Sequence, residues 1–393
     1  MIFTDSTLAI EGGKPVSERP IPIHKPSIIE NDITAVSEAL RSTFVSGDGP
    51  ACRLFEKRLS EFLGVKHVLF LNSCTSALDL AFMVKTFPEN SEVIIPNFTY
   101  TSTALGPILN HLNVRLADVN PDNGNLDVEK LESYITARTV AICPVDYAGN
   151  PAEMDEINAI AKKYGLYVVH DTAQSIGAKY KGKYTGHQAV VSTFSFHGTK
   201  NMTTGEGGAL VTNDDDIADR VKIMREKGTD KYAFLSDSHR QGYYQYVDKG
   251  NSYVQSNING ALGITQLSRL EEMNARRKEI ASYYISNLSG IDGLEFPKVT
   301  AEAETNWHLF GLLVPPGKLN WIMEALQAEG IMANVHYTPL HRNRYYRHLG
   351  TDLDFPGSVH FFKRFLRIPI YPSLSNSEME RVTEAVLKVF ENV

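Results

Sequence analysis

Short apolar runs alternate with helical patterns from about residue 65 to residue 230. Each run is bounded by Gly, Asp, Asn or Pro, as strands commonly are, and the runs are 67–71, 93–95, 114–119, 140–145, 166–169, 190–196 and 209–212. Helical spacing of apolar residues predicts the intervening helices, which are 75–84, 101–112, 128–135 and 154–164. This alternation indicates βαβ units, and therefore an α/β fold with a mostly parallel central sheet flanked by helices.

The pattern changes beyond residue 265. It predicts, in chain order, a long helix with charged faces, a strand, a helix, a second strand and a final helix, at 266–287, 309–314, 319–329, 332–337 and 377–390. Arg277 is one of the residues assigned to the charged faces of the long helix. We therefore expect a large α/β domain with an N-terminal arm over residues 1–265 and a smaller α+β domain over residues 266–393.

Composition narrows the class of protein. The chain has 393 residues, 42% of them hydrophobic, and a net charge of −7, which weighs against a general binder of nucleic acid or of anionic membranes. No apolar run approaches the roughly 20 residues that a membrane span requires, and the N-terminus lacks the pattern of a secretory signal. The chain has three cysteines, which are too few for a disulfide framework, and no Cys/His cluster suggests a metal site. We expect a cytoplasmic protein without a bound metal.

Three motifs follow predicted strands, where ligands bind in open α/β sheets. Asn72 to Leu78 leads from a strand into a helix through small hydroxyl residues, which serve equally as an ordinary N-cap or as a phosphate site. Asp171 ends another strand, where it either caps a turn or meets a ligand. Lys200 lies in an apolar neighbourhood before the glycine-rich turn 205–208, where burial would favour the neutral amine that a Schiff base requires.

Together the three motifs supply what pyridoxal phosphate needs: a helix N-terminus for its phosphate, a carboxylate for its pyridine nitrogen and a lysine for its aldehyde. Their order and spacing resemble the sugar-nucleotide aminotransferases of the DegT and StrS type, which are fold-type-I pyridoxal-phosphate enzymes. The segments that carry the resemblance are Ile21-Pro-Ile-His-Lys-Pro26, Ser46-Gly-Asp-Gly-Pro50, Pro96-Asn-Phe-Thr-Tyr100, Pro144-Val-Asp-Tyr-Ala-Gly149, Asp171-Thr-Ala-Gln174, Ser195-Phe-His-Gly-Thr-Lys200-Asn201, Gly205-Glu-Gly-Gly208 and His336-Tyr-Thr-Pro-Leu-His341.

The resemblance assigns roles to the matched residues. It implies that Lys200 bonds covalently to the cofactor, that Asp171 pairs with the pyridine nitrogen, and that Gln174 lies near the phenolic oxygen. Tyr100 falls where the family places an aromatic ring against the pyridine. The residues implied to hold the phosphate, the first two through backbone N–H groups, are Cys74, Thr75 and Ser195. Pyridoxamine phosphate would be the second form of the cofactor.

The segment that contains His336, Tyr337 and His341 is expected to contact the nucleotide-sugar. These residues lie at the end of a predicted strand in a proline-containing turn, where polar side chains can reach a cleft between domains. Either histidine could instead be a surface residue.

Two positions depart from the family pattern. His170 precedes Asp171 where family members often have Glu. Many members also donate an Asn from the partner subunit to the phosphate, just after a Tyr, whereas Val254 follows Tyr253 here. That contact is either missing or replaced by Ser256 or Asn257.

The resemblance further implies a homodimer, L-glutamate as amino donor and a nucleotide-linked sugar as acceptor. The match is strongest to members that aminate dTDP-4-keto-6-deoxyhexoses. A 3-keto-sugar aminotransferase and a catalytically silent regulatory relative remain as alternatives, although Lys200, Asp171 and Gln174 together disfavour the second. Lys200 also argues against the related dehydratases, which have histidine there, and no GxGxxG motif follows the first strand to suggest an NAD enzyme.

Overall fold

A seven-stranded sheet forms the centre of the fold in the computed structural model, which describes residues 7–230 and 244–393. The strands within the described residues are β1 (His67–Leu71), β2 (Glu92–Pro96), β3 (Asn113–Ala117), β4 (Thr139–Ile142), β5 (Tyr167–Asp171), β6 (Lys179–Tyr180), β7 (Lys183–Tyr184), β8 (Val191–Ser195), β9 (Gly208–Thr212), β10 (Ala303–Glu304), β11 (Phe310–Leu313) and β12 (Phe365–Ile368). The central sheet has the order β1-β9-β8-β5-β4-β2-β3, and β9 alone runs opposite to the other six strands. The predicted mostly parallel sheet is confirmed.

Helices cover both faces of this sheet. In the part of the chain that the structure describes, the α-helices are α1 (Glu30–Arg41), α2 (Pro50–Leu63), α3 (Cys74–Met83), α4 (Ser102–Leu109), α5 (Val128–Leu131), α6 (Met154–Tyr164), α7 (Asp215–Met224), α8 (Asn257–Ser268), α9 (Leu270–Leu288), α10 (Leu319–Ala328), α11 (Pro356–Phe362) and α12 (Asn376–Phe390). Alternate residues of β1 show the layering, because Leu69 and Leu71 pack with α3 and α7 whereas Val68 and Phe70 pack with α2. Burial on both faces explains why the strands are apolar throughout.

A separate hydrophobic core lies in the C-terminal part of the chain. The antiparallel pair β11 and β12 packs there with α9, α10 and α12. Leu8 and Ile21, from the N-terminal segment, are buried in the same core. No helix among the described residues is long and apolar enough to span a membrane.

The predicted long helix over 266–287 is wrong in its extent. Two helices, α8 and α9, occupy this region, and Arg269 between them leaves helical dihedrals at φ −114° and ψ 3°. The guanidinium of Arg269 donates to the buried carboxylate of Asp32 at 2.7 Å. The start of α8 was not predicted because Gly260 and Gly263 weaken the helical pattern. In the structure, Gly260 lets the backbone of α8 approach α2 near Cys52.

The predicted strand over 332–337 is also wrong. Its backbone forms one isolated bridge, from Asn334 to Arg367, and the residue before it, Ile331, forms another with Ile21. The strand that pairs with β11 is β12, for which the sequence pattern predicted no element. The segment after Asn334 instead brings His336 and Tyr337 to the edge of the central sheet, where they line a cavity.

Candidate active site

A cavity of about 420 Å³ opens at the carboxyl end of the parallel strands. It lies beyond the last residues of β5 and β8, beside the first turn of α3, which is where open α/β sheets bind their ligands. All the predicted site residues except His341 line it, namely Cys74, Thr75, Tyr100, Asp171, Gln174, Ser195, Lys200, His336 and Tyr337.

Lys200 lies in the loop between β8 and β9, where its backbone N–H donates to the carbonyl oxygen of His197 at 2.9 Å. Desolvation lowers the pKa of the Lys200 amine below its ordinary value, and the charge of Arg367 acts in the same direction. Cys74 and Asp171 oppose this shift. The neutral amine, which is the nucleophilic form, is therefore reached at a lower pH than for a solvated lysine.

Asp171 ends β5 and is only 4% exposed. Its carboxylate accepts hydrogen bonds from Thr103 Oγ1 at 2.8 Å and from the backbone N–H of Ala173 at 3.1 Å. Burial raises the pKa of Asp171, while these two hydrogen bonds work against the increase. Among the described residues no cationic side chain lies within ion-pair distance of it, although the charge of Lys200 also lowers the pKa of Asp171.

The first turn of α3 presents backbone donors to the same cavity. The hydroxyl of Ser73 caps the helix by accepting from the N–H of Ser76 at 3.0 Å. The N–H groups of Cys74 and Thr75 also belong to the first turn of α3, where backbone N–H groups have no acceptor within the helix. Gly208 of β9 packs against this turn so closely that a side chain there would overlap the backbone of Ser73 and Cys74. The helix start is therefore held firmly at the cavity.

Two tyrosines and a glutamine form the opposite wall. The ring of Tyr100, which is 55% exposed, lies with its centroid 5.5 Å from that of Tyr337. Gln174 donates to the hydroxyl of Tyr337 at 3.3 Å and accepts from the backbone N–H of Ala148 at 2.8 Å. These contacts fix the amide of Gln174, whereas the exposed ring of Tyr100 is free to meet a ligand.

His341 does not reach the cavity. It is 4% exposed, and its ring nitrogens contact the Asn97 amide at 2.8 Å and the Asp352 carboxylate at 2.9 Å. Both ring nitrogens are thus engaged within the protein, which corrects the expectation that the whole segment faces the substrate. Its neighbours in sequence, His336 and Tyr337, do line the cavity.

The residues that depart from the family pattern have structural partners. His170, the residue before Asp171, is fully buried, and its Nε2 lies 2.7 Å from the carboxylate of Asp146. Ser256 caps α8, and the Asn257 side chain bonds the backbone of Ala51 and Phe44 at 2.8 and 2.9 Å. Within its own subunit, neither candidate replacement for the family Asn has a free side chain.

Several residues beside Lys200 were not found from the sequence. Thr103, which holds Asp171, belongs to no motif, and Arg277 was assigned to a charged helix face although it is 3% exposed. His308 and Arg367 also lie close to Lys200. Among the described residues, no group of three His, Cys, Asp or Glu side chains could hold a metal ion.

The chemistry of this cavity suits an enzyme that uses pyridoxal phosphate. The unpaired Asp171 carboxylate matches a protonated pyridine nitrogen, the N–H groups at α3 match a phosphate, and Lys200 has the lowered pKa that covalent attachment requires. The residues present therefore fit the cofactor.

Comparison with known proteins defines the family. The chain belongs to the DegT/DnrJ/EryC1/StrS aminotransferase family, whose model matches residues 26–387. It is 36% identical over 374 residues to the spore coat polysaccharide biosynthesis protein SpsC of Bacillus subtilis, covering 93% of this chain and 96% of that protein.

Solved structures agree with this assignment. PseC of Helicobacter pylori, an aminotransferase involved in the biosynthesis of pseudoaminic acid, matches with a TM-score of 0.89 and 29% identity over 95% of this chain and all of the other. The pyridoxal-phosphate form of Spr1654, a sugar aminotransferase from Streptococcus pneumoniae, matches with a TM-score of 0.88 and 28% identity over 95% and 99%. The protein is thus a pyridoxal-phosphate-dependent sugar aminotransferase of fold type I.

Proposed function

We propose that this aminotransferase transfers an amino group from L-glutamate to a nucleotide-linked 4-keto-6-deoxyhexose, with a dTDP-sugar as the acceptor. The products would be a 4-amino-4,6-dideoxy sugar nucleotide and 2-oxoglutarate. The observation that carries the proposal is the convergence of Lys200, Asp171 and the start of α3 on one cavity. The relation to SpsC and PseC supports a role in polysaccharide or amino-sugar biosynthesis.

The choice of the 4-keto sugar depends on sequence resemblance. The segments that favour it are Ser195-Phe-His-Gly-Thr-Lys-Asn201 with Gly205-Glu-Gly-Gly208, Arg225-Glu-Lys-Gly-Thr229, and Val247-Asp-Lys-Gly-Asn-Ser-Tyr253. Family members that act at C3 of the sugar more often have Tyr-Pro before the lysine motif and Gly-Asp-Gly-Gly after it. Amination at C3 is therefore the alternative that the experiment must distinguish.

Pyridoxal phosphate supplies an aldehyde that takes up the amino group and a ring that withdraws electrons from the adjacent carbon. Within the protein, the Nζ of Lys200 would take the proton from the α-carbon of the amino donor and pass it to the carbon that was the aldehyde of the cofactor. In the acceptor half-reaction the same atom would move that proton to the sugar carbon that receives the amino group. The carboxylate of Asp171 would hold a proton on the pyridine nitrogen. The N–H groups of Cys74 and Thr75, together with Ser195, would bind the phosphate.

Product analysis over a panel of keto sugars tests the proposal. Purified holoenzyme would be supplied with L-glutamate and with 4-keto and 3-keto 6-deoxyhexoses linked to dTDP or UDP, and the sugar products would be identified by mass spectrometry and NMR. We expect amination at C4 of the dTDP-sugar and an equal amount of 2-oxoglutarate. Lys200→Ala should abolish the product, whereas Lys57→Ala, at a lysine that is 72% exposed, should not. Amination at C3 only would contradict the substrate, and no amination of any sugar would contradict the function.

A further inference from the structure

A buried polar cluster lies behind the segment that carries Asp171 and Gln174. It consists of Asp146, His170 and Ser175, each of which has no exposed surface and lines no part of the cofactor cavity. Successive side chains of a strand point to opposite faces, so the ring of His170 is directed away from the cavity that Asp171 faces. We call these three residues the Asp146 cluster. The proposed function gives it no role, although His170 is one of the departures from the family pattern.

A single carboxylate joins the members of the Asp146 cluster. Oδ1 of Asp146 lies 2.7 Å from Nε2 of His170 and accepts from the backbone N–H of Ala152 at 2.8 Å. Oδ2 accepts from the hydroxyl of Ser175 at 2.6 Å. No Lys or Arg of the described chain forms an ion pair with Asp146, so these three donors are the groups that stabilise the buried carboxylate.

The two nitrogens of the His170 ring have different surroundings, which assign the proton. Nδ1 is buried and has no hydrogen-bond partner in the described structure. If Nδ1 carried the only proton, that N–H would have no acceptor, and the lone pair of Nε2 would face a carboxylate oxygen of Asp146. Both arrangements are unfavourable. The proton therefore lies on Nε2, and His170 donates to Asp146.

The carboxylate of Asp146 holds both ends of the segment that forms one wall of the site. His170, which is bonded to Oδ1, is the residue before Asp171. Ser175, which is bonded to Oδ2, is the residue after Gln174. The four residues between these two anchors therefore begin and end with the side chains that are expected to meet the pyridine ring and the phenolic oxygen.

Backbone hydrogen bonds connect the same loop directly to Asp171 and Gln174. The backbone N–H of Asp146 donates to the carbonyl oxygen of Asp171 at 3.1 Å. Two residues further along, the N–H of Ala148 donates to the side-chain oxygen of Gln174 at 2.8 Å. A displacement of Asp146 would therefore move the partners of both side chains together.

We propose that Asp146 and His170 are positioning residues, which hold Asp171 and Gln174 in the places where they meet pyridoxal phosphate. Neither residue reaches the cofactor cavity, so both act through the segment that they anchor. A displacement of about 1 Å at a reacting group can cost about 10²-fold in rate. This inference rests on the proposed roles of Asp171 and Gln174 toward the cofactor, and not on the identity of the amino donor or of the sugar.

Removal of one hydroxyl tests the proposal with the least disturbance. Ser175→Ala deletes a donor to Asp146. Ser358→Ala is the matched control, because Ser358 is also fully buried, donates to the Asp118 carboxylate at 2.9 Å and lines no part of the cofactor cavity. Both variants should unfold at a lower urea concentration than the unmodified protein. Only Ser175→Ala should bind pyridoxal phosphate more weakly, by about threefold or more, and reduce the visible circular dichroism of the bound cofactor, which reports how firmly its ring is oriented.

Substitutions at His170 separate the hydrogen bond from the ring. His170→Phe keeps a ring of similar size but removes the donor to Asp146, whereas His170→Gln retains an N–H group that can reach the carboxylate. In His170→Phe, cofactor affinity and the maximal rate of the half-reaction with L-glutamate, followed by the loss of cofactor absorbance, should both fall by about tenfold or more. The KM for L-glutamate should stay unchanged, because the Asp146 cluster does not line the cavity. His170→Gln should regain most of the affinity and of the rate.

The combined results distinguish positioning from a merely structural role. If Ser175→Ala and His170→Phe lose stability but bind the cofactor, orient it and react as the unmodified protein does, the proposal is wrong. If His170→Phe does not fold, the comparison of Ser175→Ala with Ser358→Ala decides the question by itself. If the unmodified holoenzyme does not react with L-glutamate, the proposed donor is wrong, while cofactor affinity and circular dichroism still test the positioning role.

Discussion

Burial moves the pKa values of Lys200 and Asp171 in opposite directions. Desolvation lowers that of the amine and raises that of the carboxyl, because a low-dielectric environment disfavours the charged form of either group. The hydrogen bonds from Thr103 and Ala173 limit the effect on Asp171. The site thus combines a readily deprotonated amine, which can move a proton, with a carboxylate that hydrogen-bond donors keep in place to pair with the pyridine nitrogen.

Asp171→Asn tests the role of this charge. Asparagine has nearly the same size and can still accept from Thr103, but it cannot keep a proton on the pyridine nitrogen. We expect the half-reaction with L-glutamate to slow by about 10²-fold or more, within the range that positioned acid–base groups supply, while the cofactor stays bound after dialysis. Stopped-flow absorbance measures the rate, and Asp215→Asn, at a side chain 59% exposed, is the control. A variant that reacts at the original rate would contradict the role.

The burial of His336, with Arg367 beside it, predicts a pH dependence of stability. The folded-state pKa of His336 is about 4, whereas the ordinary value is 6.5. The unfolded chain therefore binds more protons between these values, so the free energy of unfolding falls as pH decreases from 6.5 to 4. Arg367 and Lys200 are the charged groups that act on this ring.

Urea denaturation of the apoprotein from pH 4.5 to 7.5 measures this dependence. His336→Gln should lose less stability than the unmodified protein on acidification. His348→Gln, which changes an exposed histidine, should follow the unmodified protein. Equal slopes for His336→Gln and the unmodified protein would show that His336 does not contribute.

At the scale of single residues, motif spacing predicted site residues correctly where those residues are close to one another in the sequence. Lys200, Asp171 and Gln174 lie in such motifs, and the structure places them on one cavity. His341 was misplaced because its contacts with Asn97 and Asp352 are made by tertiary packing. Arg277 was missed for the same reason, because a helical pattern does not show that the core covers a charged side chain.

The start of α3 is the element on which phosphate binding depends. A side chain at Gly208 would overlap backbone atoms of Ser73 and Cys74. Backbone atoms cannot move aside as the end of a flexible side chain could. Gly208→Ala should therefore reduce the free energy of unfolding by about 1–3 kcal/mol and weaken pyridoxal-phosphate binding at least tenfold. Chemical denaturation and cofactor titration measure the two effects.

Gly198→Ala provides the control for this prediction. Gly198 lies near the same cavity, in the Lys200 loop, but a side chain there would meet only the carbonyl oxygen of Gly205, at 3.9 Å. It should leave both quantities close to those of the unmodified protein. Wild-type cofactor affinity in Gly208→Ala would show that the position of the α3 start is not critical.

Elements with strong local periodicity were predicted well, and those that depend on tertiary contacts were not. β1 was predicted over its full extent, and α6 as well. The break between α8 and α9 depends on the long-range bond from Arg269 to Asp32. β12 is a four-residue strand that exists by pairing with β11, so its own sequence carries little signal. The division into domains at residue 265 stays a prediction.

On the scale of the whole molecule, we expect a homodimer. The surface near α1 and α2 carries exposed apolar side chains, namely Ile29, Ile33, Leu40, Phe44 and Leu54, and such patches commonly mark contacts between proteins. The segment 243–258 is rich in tyrosine, whose large apolar ring and polar tip suit a half-buried interface, so we predict that it lies at the subunit boundary. Tyr243 is outside the described residues, and Tyr244 and Tyr246 are exposed. Sedimentation equilibrium should give about twice the chain mass of 43.8 kDa.

Complementation tests whether the subunits share active sites. Lys200→Ala should be inactive, and Tyr246→Ala should be impaired if this segment serves the partner's cavity. Mixed dimers of the two variants should then regain part of the activity. A monomer with full activity would contradict both the dimer and the shared site.

The central claim is that the cavity around Lys200 is where pyridoxal phosphate is bound and the amino group transferred. Borohydride reduction of the holoenzyme, followed by digestion and peptide mass mapping, tests it most directly, because reduction makes the bond between cofactor and lysine permanent. The account predicts a pyridoxyl group on the peptide that contains Lys200, and none on Lys200→Ala. A pyridoxyl group on another lysine, with Lys200 unlabelled, would contradict it.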